Sequence, residues 1–353
     1  MTTLLPAASA ILSFIFAIAL FDQWRERRHG YQLVWAIGML LYGLASACEA
    51  LGAAGGWNDG LYRAWYLSGV VLSAGWLGLG TALLLGRTRF GYAFAFCLLG
   101  AGFIMFALRN SPKYADAGNA PIIYFVIAVV VALAIFIETY FQNERWPLIA
   151  ALAVVGVTLI GAFLVITANI APPGYALNPD TNIPVGDAMP AALRLLTPFM
   201  NVTGGGALVL GAIFSAYVFM PKKRVLAYSL DPAQKFDQFL FNLIISPVAL
   251  IVNFVASLPG TVRAWRSGGV NSRVPATLLI AIGGILAGYA DSFNRLGATQ
   301  SYSLLKFLTV VFLFVGFLVS IEVFQVVRIP FTGIVLRSAR SERVPAIGPT
   351  EAG

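Results

Sequence analysis

The chain is poor in the residues on which soluble surfaces and most enzyme sites depend. Only 11% of its 353 residues are charged, whereas a soluble domain has about a quarter. It has one histidine, His29, and two cysteines, Cys48 and Cys97, which both lie inside apolar segments. No Walker A sequence, HExxH sequence or nucleophile elbow occurs. We therefore expect no disulfide framework, no catalytic residues, no metal and no cofactor.

Apolar residues make up 59% of the chain, and they recur in runs of about 18 residues or more, the length that a bilayer requires. Because a backbone in lipid has to form hydrogen bonds with itself, these runs are predicted to be helices. The expected fold is all-α, a single polytopic transmembrane bundle over residues 1–336. Residues 337–353 have the composition of a disordered tail.

Ten apolar segments are predicted, and basic residues follow the first, third, fifth and seventh of them. Because Lys and Arg concentrate in cytoplasmic loops, this pattern puts the N-terminus outside and the C-terminus in the cytoplasm of a bacterial inner membrane. The segments are Leu4–Phe21, Tyr31–Gly52, Leu61–Leu85, Phe90–Leu108, Ile122–Phe141, Pro147–Ile170, Arg194–Met220, Phe236–Leu258, Val274–Phe293 and Leu304–Val327.

The eighth segment, Phe236–Leu258, carries a polar stripe on an otherwise apolar helix. At 100° per residue the stripe occupies an arc of about 100°. An ordinary interfacial helix has a strongly charged face, so an uncharged stripe favours contact with other helices or a narrow wet path. The polar residues of the stripe are Gln238, Asn242, Ser246, Asn253 and Ser257.

Whether this segment crosses the membrane decides the topology of all that follows. If it begins and ends on the cytoplasmic side, most of the 23 Lys and Arg lie inside, whereas a crossing divides them almost equally. The positive-inside rule therefore favours nine crossings with a re-entrant or in-plane segment, in which Pro247 would provide a turn. Against this, 23 residues of helix are about 35 Å long, enough for a tenth crossing.

The seventh segment contains a proline and three consecutive glycines, which loosen a membrane helix. Transporter sites are often built where broken helices leave backbone groups free, so we predict a ligand site in the outer half of this helix. The alternative is close helix packing, which small residues permit. The candidate residues are Thr197, Pro198, Asn201, Thr203 and Gly205.

Carboxylates inside apolar segments are functional candidates in membrane proteins. Glu49 lies near the predicted outer end of the second segment, and Arg63 lies near the outer start of the third. The short connection between these segments brings the two residues close in the predicted topology. We therefore predict an ion pair between Glu49 and Arg63, at the interface and away from the midplane.

Four stretches of the chain together resemble a group of uncharacterised bacterial multi-pass membrane proteins. In outline, the first seven segments are also similar to the seven-helix sensory modules that precede some histidine kinases, although no kinase domain follows here. The resemblance implies a membrane bundle in which residues 226–269 are an insertion, and it implies no activity or site residues. The stretches are Trp35–Glu49, Tyr62–Gly69, Leu196–Asn201 and Gly316–Leu318.

Three classes of function fit these patterns. The first is a non-enzymatic membrane protein that binds a lipid, an apolar small molecule or a protein partner within the bilayer. The second is a secondary transporter whose path is lined by the stripe and the seventh segment. The third is a quinone-contacting subunit of a redox complex. Because the basic residues lie in short loops between apolar segments, they indicate topology and not nucleic-acid binding.

Overall fold

A computed structural model of the chain describes residues 3–170, 174–178, 182–184, 188–267, 270–295, 301–319, 326–328 and 335–337. In these ranges it is an all-α bundle with ten helices long and apolar enough to cross a membrane. The helices are α1 Leu4–Arg27, α2 Gly30–Gly55, α3 Asp59–Leu84, α4 Gly91–Leu108, α5 Ala120–Tyr140, α6 Trp146–Thr167, α7 Ala191–Phe219, α8 Phe236–Arg266, α9 Arg273–Arg295 and α10 Tyr302–Val319.

The helix ends follow from local chemistry. At the start of α3, the Asn58 side chain accepts a hydrogen bond from the backbone N–H of Leu61, as an N-cap residue does. Both α5 and α6 carry a proline in the first turn, where no backbone donor is needed. Within α3, residues Tyr66–Leu72 form a π-helical segment, a local widening that leaves backbone groups in need of other partners.

Six of the helices close into a ring in the order α1, α2, α3, α7, α9 and α10, and α10 packs back on α1. Large apolar side chains from α1, α2, α3, α7 and α10 fill one core of this ring, among them Phe16, Trp35 and Phe317. Helices α4, α5 and α6 pack outside the ring, and a second core joins α4 and α6 to α3 and α7. We call the end of the bundle where α1, α3, α5 and α7 end the basic end.

Helices α3 and α7 approach each other at glycine. A Cβ atom added to Gly204 would overlap the backbone of Ala74 and Gly75, and a Cβ atom added to Gly78 would overlap the backbone of Gly204. Gly205 is different, because no atom lies within 4 Å of the position of its Cβ. Part of the glycine run in α7 therefore serves close packing against α3, as small residues commonly do in membrane helices.

The chain after α10 departs from the sequence-based prediction. Helix α10 ends at Val319, and Val326–Arg328 forms a three-residue strand, β1, antiparallel to β2 at Val335–Arg337. The predicted helix end at Val327 is therefore wrong. Val326 and Val327 are β-branched residues, which favour strands over helices. The predicted tail of residues 337–353 lies outside the described residues beyond Arg337.

The glycine contact between α3 and α7 predicts a contrast between neighbouring positions. Gly204→Ala should lower the free energy of unfolding by about 1–3 kcal/mol, because the added methyl group overlaps the backbone of α3. Gly205→Ala is the matched control and should be neutral or slightly stabilising, since alanine favours the helix. Thermal unfolding of both variants in detergent micelles measures the difference, and equal midpoints would contradict the packing assignment.

Candidate functional site

Of the predicted site residues of α7, Gly205 faces open space, and the other four lie in helix packing. Thr197, Pro198 and Thr203 are buried, and Asn201 is half-buried. The helix is continuous from Leu196 through the glycine run to Phe219, so the chain is not broken at the glycines.

Asn201 contacts the π-helical segment of α3. Its Nδ2 donates a hydrogen bond of 3.2 Å to the backbone oxygen of Val70, which lies inside that segment. A π-helical turn disturbs the regular pairing of backbone groups, and a buried carbonyl without a partner is costly. One clear role of Asn201 is therefore to satisfy the backbone of α3.

A small cavity lies beside these residues, between α3, α4, α6 and α7. Its volume is about 10 Å³, and Thr203 and Gly204 line it together with apolar side chains of the neighbouring helices. A volume of about 10–15 Å³ holds one water molecule. The hydroxyl of Thr203 has no hydrogen-bond partner in the described part of the chain. The cavity beside the α7 residues is therefore large enough for one water molecule. A ligand site in this part of α7 stays a prediction.

The polar stripe of α8 binds the segment that precedes the helix. The Asn253 side chain accepts hydrogen bonds from the backbone N–H groups of Val225 and Leu226, at 2.7 and 2.9 Å, and donates to the oxygen of Leu226. Ser257 Oγ accepts a hydrogen bond of 2.9 Å from the N–H of Lys223. Both side chains are buried. This half of the stripe therefore fixes the linker, which we define as residues 221–235.

The rest of the stripe has local partners or faces the surface. Asn242 Nδ2 donates to Oε1 of Gln234 in the linker, at 2.9 Å. Ser246 Oγ donates to the backbone oxygen of Leu243, the atom that Pro247 leaves without its usual N–H donor. The Ser246 hydroxyl thus replaces the backbone donor that the helix lacks at Pro247. Gln238 is exposed and lines an open groove on the surface with Asn242.

The linker runs antiparallel to α8 along most of its length. Lys223 lies at Ser257, Val225 lies at Asn253, and Gln234 lies at Asn242. The linker is irregular and largely exposed. Irregular backbone that faces lipid does not occur in the hydrocarbon core, because its N–H and C=O groups would have no partners. If α8 crossed the bilayer, the linker would have to cross beside it with its backbone groups facing lipid, which this constraint disfavours.

The packing contacts of α8 with other helices also place it at one end of the bundle. Near its start, Phe239 contacts Tyr92 at the start of α4 and Tyr140 at the end of α5. About 28 Å further along the helix, Leu258 belongs to a cluster with Met220, just after α7, and with residues near the start of α9. All of these helix ends lie at the basic end, so α8 lies across this end of the bundle.

These contacts favour the predicted in-plane placement of α8 over a tenth crossing, and the number of crossings stays a prediction. Of the two non-crossing forms predicted from the sequence, the re-entrant turn at Pro247 is not formed, because α8 is one continuous helix over 31 residues. The helix also extends beyond the predicted end at Leu258, through Pro259 to Arg266.

The predicted ion pair between Glu49 and Arg63 is not formed, because both residues have other partners. Arg63 binds Asp59 at 2.9 Å, and its guanidinium donates to the backbone oxygens of Val165, Ile166 and Ala168. These carbonyls are at the end of α6, where the helix has no donors of its own. The arginine is therefore used to cap α6.

Glu49 instead forms a buried ion pair with Lys306 of α10. The distance from Glu49 Oε1 to Lys306 Nζ is 2.7 Å, and the two side chains are 1% and 12% exposed. The same carboxylate oxygen accepts hydrogen bonds from Trp65 Nε1 at 2.9 Å and from the Tyr302 hydroxyl at 3.2 Å. The ammonium group lies 5.3 Å from the ring centres of Tyr42 and Tyr302, a cation–π arrangement.

Sequence reasoning missed Lys306, Tyr302 and Trp65 at this site. The available signal was that Lys306 is the only charged residue in α10. An isolated charge in an apolar helix requires a partner, and Glu49 is a carboxylate near the same end of the bundle. The site links α2, α3 and α10 at the end opposite the basic end.

No family model matches this chain, and neither a curated protein nor a solved structure matches it. Within the described residues, no three His, Cys, Asp or Glu side chains form a group that could hold a metal ion. The candidate surfaces for function are therefore compared by their geometry and charge. They are the α7 cavity, the Glu49–Lys306 site and the in-plane helix α8 with its linker.

The hydrogen bonds of Asn253 predict how the linker is held. Asn253→Ala should release the linker from α8, because three hydrogen bonds are lost and two backbone N–H groups lose their acceptor. Trypsin cleavage after Lys222, Lys223 and Arg224 should then become several times faster. Ser246→Ala is the control, since its hydroxyl group binds only within α8. Equal cleavage rates in both variants would show that the stripe does not hold the linker.

The buried Glu49–Lys306 pair predicts that replacing one partner destabilises the protein more than replacing both. Lys306→Met leaves a buried carboxylate without its cation and should destabilise the protein by about 3–5 kcal/mol. The double variant Glu49→Gln/Lys306→Met removes both charges and keeps an oxygen acceptor for Trp65 and Tyr302, so it should recover most of this loss. Unfolding in detergent by a chemical denaturant measures both.

The exposed pair between Arg87 and Glu144 provides the comparison for this measurement. Its atoms are 3.4 Å apart, and both side chains are largely exposed. Exposed pairs contribute little to stability, so Arg87→Met should leave the unfolding midpoint nearly unchanged. A double variant at Glu49 and Lys306 that is no more stable than Lys306→Met alone would contradict the assignment of a coupled buried pair.

Proposed function

We propose that this protein is a non-enzymatic, lipid-binding protein of the bacterial cytoplasmic membrane, in which α8 is the lipid-binding element. The nine crossing helices hold α8 in the plane of one leaflet. Its apolar face contacts acyl chains, and its polar stripe binds the linker. The observation that carries this proposal is the position of α8 across one end of the bundle with an exposed apolar face.

The apolar face of α8 lies opposite the stripe. Its large side chains recur every three or four residues, which places them on one side of the helix, and they are exposed in the bundle. A helix of this kind inserts its apolar side about 5–10 Å into the boundary between headgroups and acyl chains. The exposed side chains are Phe241, Ile244, Val248, Ile251 and Val255.

The charge distribution supports a cytoplasmic position for α8. The basic end carries the clusters of the α1–α2 and α3–α4 turns and the basic residues of the linker. Because Lys and Arg concentrate on the cytoplasmic side, we assign the basic end to the cytoplasm and the N-terminus to the outside. With nine crossings, α10 then ends on the cytoplasmic side.

The transport hypothesis loses its main support in this arrangement. It required the polar stripe to face α7 and to line a path across the membrane. Asn253 and Ser257 bind the linker instead, and α8 does not cross. A protein partner for the apolar face is an alternative outcome of the experiment below, since a bound protein would shield labels on α8 from lipid.

The proposal predicts the depth of α8 in the bilayer. Spin labels on its exposed apolar face should all lie at nearly the same depth, because an in-plane helix does not change depth along its axis. Collision with oxygen and with a polar nickel chelate, in liposomes, measures this depth. The protein for labelling carries Cys48→Ala and Cys97→Ala, and the labelled positions are Ile244, Ile251, Val255 and Val262.

Helix α6 is the control for this measurement, because it crosses the membrane and exposes apolar side chains along its length. Depth in α6 should change by about 1.5 Å per residue along its axis. If the α8 labels follow a profile like that of α6, α8 crosses the membrane and the proposal is wrong. If they share one depth but are inaccessible to oxygen, a protein covers the face. The control positions are Leu148, Leu152, Leu159 and Phe163.

A further inference from the structure

Basic side chains gather where the linker begins and α8 ends. The hydrogen bond between Lys223 and Ser257 places the start of the linker against the last third of α8. Since the linker runs antiparallel to α8, Lys222 lies one residue closer than Lys223 to the final turns of the helix. Those turns carry two further exposed arginines. We define the basic cluster as Lys222, Lys223, Arg224, Arg263 and Arg266, all of which are exposed.

Acidic residues are absent from the sequence around this cluster. Residues 189–230 and 238–290 contain neither Asp nor Glu. Of the nearest acids in the chain, Asp231 lies 3.8 Å from Arg89. Asp237 is at the other end of α8, about 39 Å from Arg263 along the helix axis. The positive charge of the cluster is therefore not neutralised by these acids.

The cluster also adjoins the apolar face of α8. Trp265 is 68% exposed and lies between the two arginines in the chain, and tryptophan favours the level of the lipid headgroups. Val262 continues the exposed apolar face up to this point. Positive charge, an interfacial aromatic ring and apolar side chains thus occur side by side. This combination fits a ligand with an anionic head and an apolar tail.

We propose that the basic cluster binds the phosphate headgroups of anionic phospholipids whose acyl chains lie against the apolar face of α8. This inference rests on the proposed function, because it needs α8 at the surface of one leaflet. It adds a headgroup specificity that the apolar face alone does not have. Each Lys or Arg near an anionic membrane surface strengthens binding about fivefold.

The test is binding of defined lipids to the full-length protein, measured by native mass spectrometry. Phosphatidylglycerol and phosphatidylcholine with the same acyl chains are the probes. The unsubstituted protein should bind phosphatidylglycerol more tightly. Arg263→Gln/Arg266→Gln should weaken that binding about 25-fold and leave phosphatidylcholine binding unchanged. Lys222→Gln/Lys223→Gln/Arg224→Gln should have a similar or larger effect.

The matched control removes two charges from the same end of the bundle but outside the cluster. Arg25 is exposed in the last turn of α1 and Arg145 is exposed in the α5–α6 turn, and Arg25→Gln/Arg145→Gln should keep the preference for phosphatidylglycerol. Glycerol phosphate, which has the charge without the chains, should not compete at concentrations where the lipid binds. Strong competition by glycerol phosphate would indicate a free-anion site and overturn the lipid assignment.

Failure of this inference is distinguishable from failure of the proposed function. Equal binding of both lipids, or an equal loss in the Arg25→Gln/Arg145→Gln control, would overturn the headgroup specificity. The depth profile of α8 would be unaffected by either result, so lipid contact through the apolar face would stand. A crossing α8 in the depth measurement would overturn both.

Discussion

The requirement that backbone polar groups in lipid be hydrogen-bonded within the protein determines how this chain meets the membrane. Regular helices satisfy it through hydrogen bonds within each helix, whereas the irregular linker does not. Because the linker is bound along α8 through Asn253 and Ser257, helix and linker have to share one environment. We expect the irregular linker to lie at the membrane surface, and α8, which is hydrogen-bonded to it, to lie at the same depth. The hydrogen bonds of two side chains thus carry the in-plane topology that we propose.

The same requirement explains several polar residues inside the bundle. Asn201 supplies a donor to a carbonyl of the π-helical segment, and Ser246 supplies one to the carbonyl that Pro247 leaves without a partner. Arg63 does the same for the end of α6. From the sequence alone, two of these residues are candidates for ligand binding or a wet path, and the third is a candidate for an ion pair. In the structure, all three side chains instead donate hydrogen bonds to backbone carbonyls at irregular points or ends of helices.

The limits of sequence reasoning follow from the range of the interactions. Helix number and approximate bounds depend on local apolar runs, and these were predicted well apart from the ends of α8 and α10. The sequence left both a non-crossing α8 and a tenth crossing open, because the count of basic residues reports topology only through the loops close to each helix. The partner of Glu49 was missed. Lys306 is 257 positions away from Glu49 in the chain, and the two side chains meet through packing between distant helices.

The two ends of the bundle use their charges differently. At the end opposite the basic end, Lys306 binds Glu49, Arg63 binds Asp59, and Arg194 donates to the backbone oxygen of Lys113. These charges are used within the protein. Around the last turns of α8, the described residues include five exposed basic side chains, and residues 189–230 and 238–290 contain no carboxylate. The linker already provides hydrogen-bond partners for the buried side chains of Asn253 and Ser257, so α8 needs no neighbouring helix on that side. In the arrangement that we propose, its remaining apolar face and its basic cluster are directed to the bilayer, which favours lipid over a solute as the ligand.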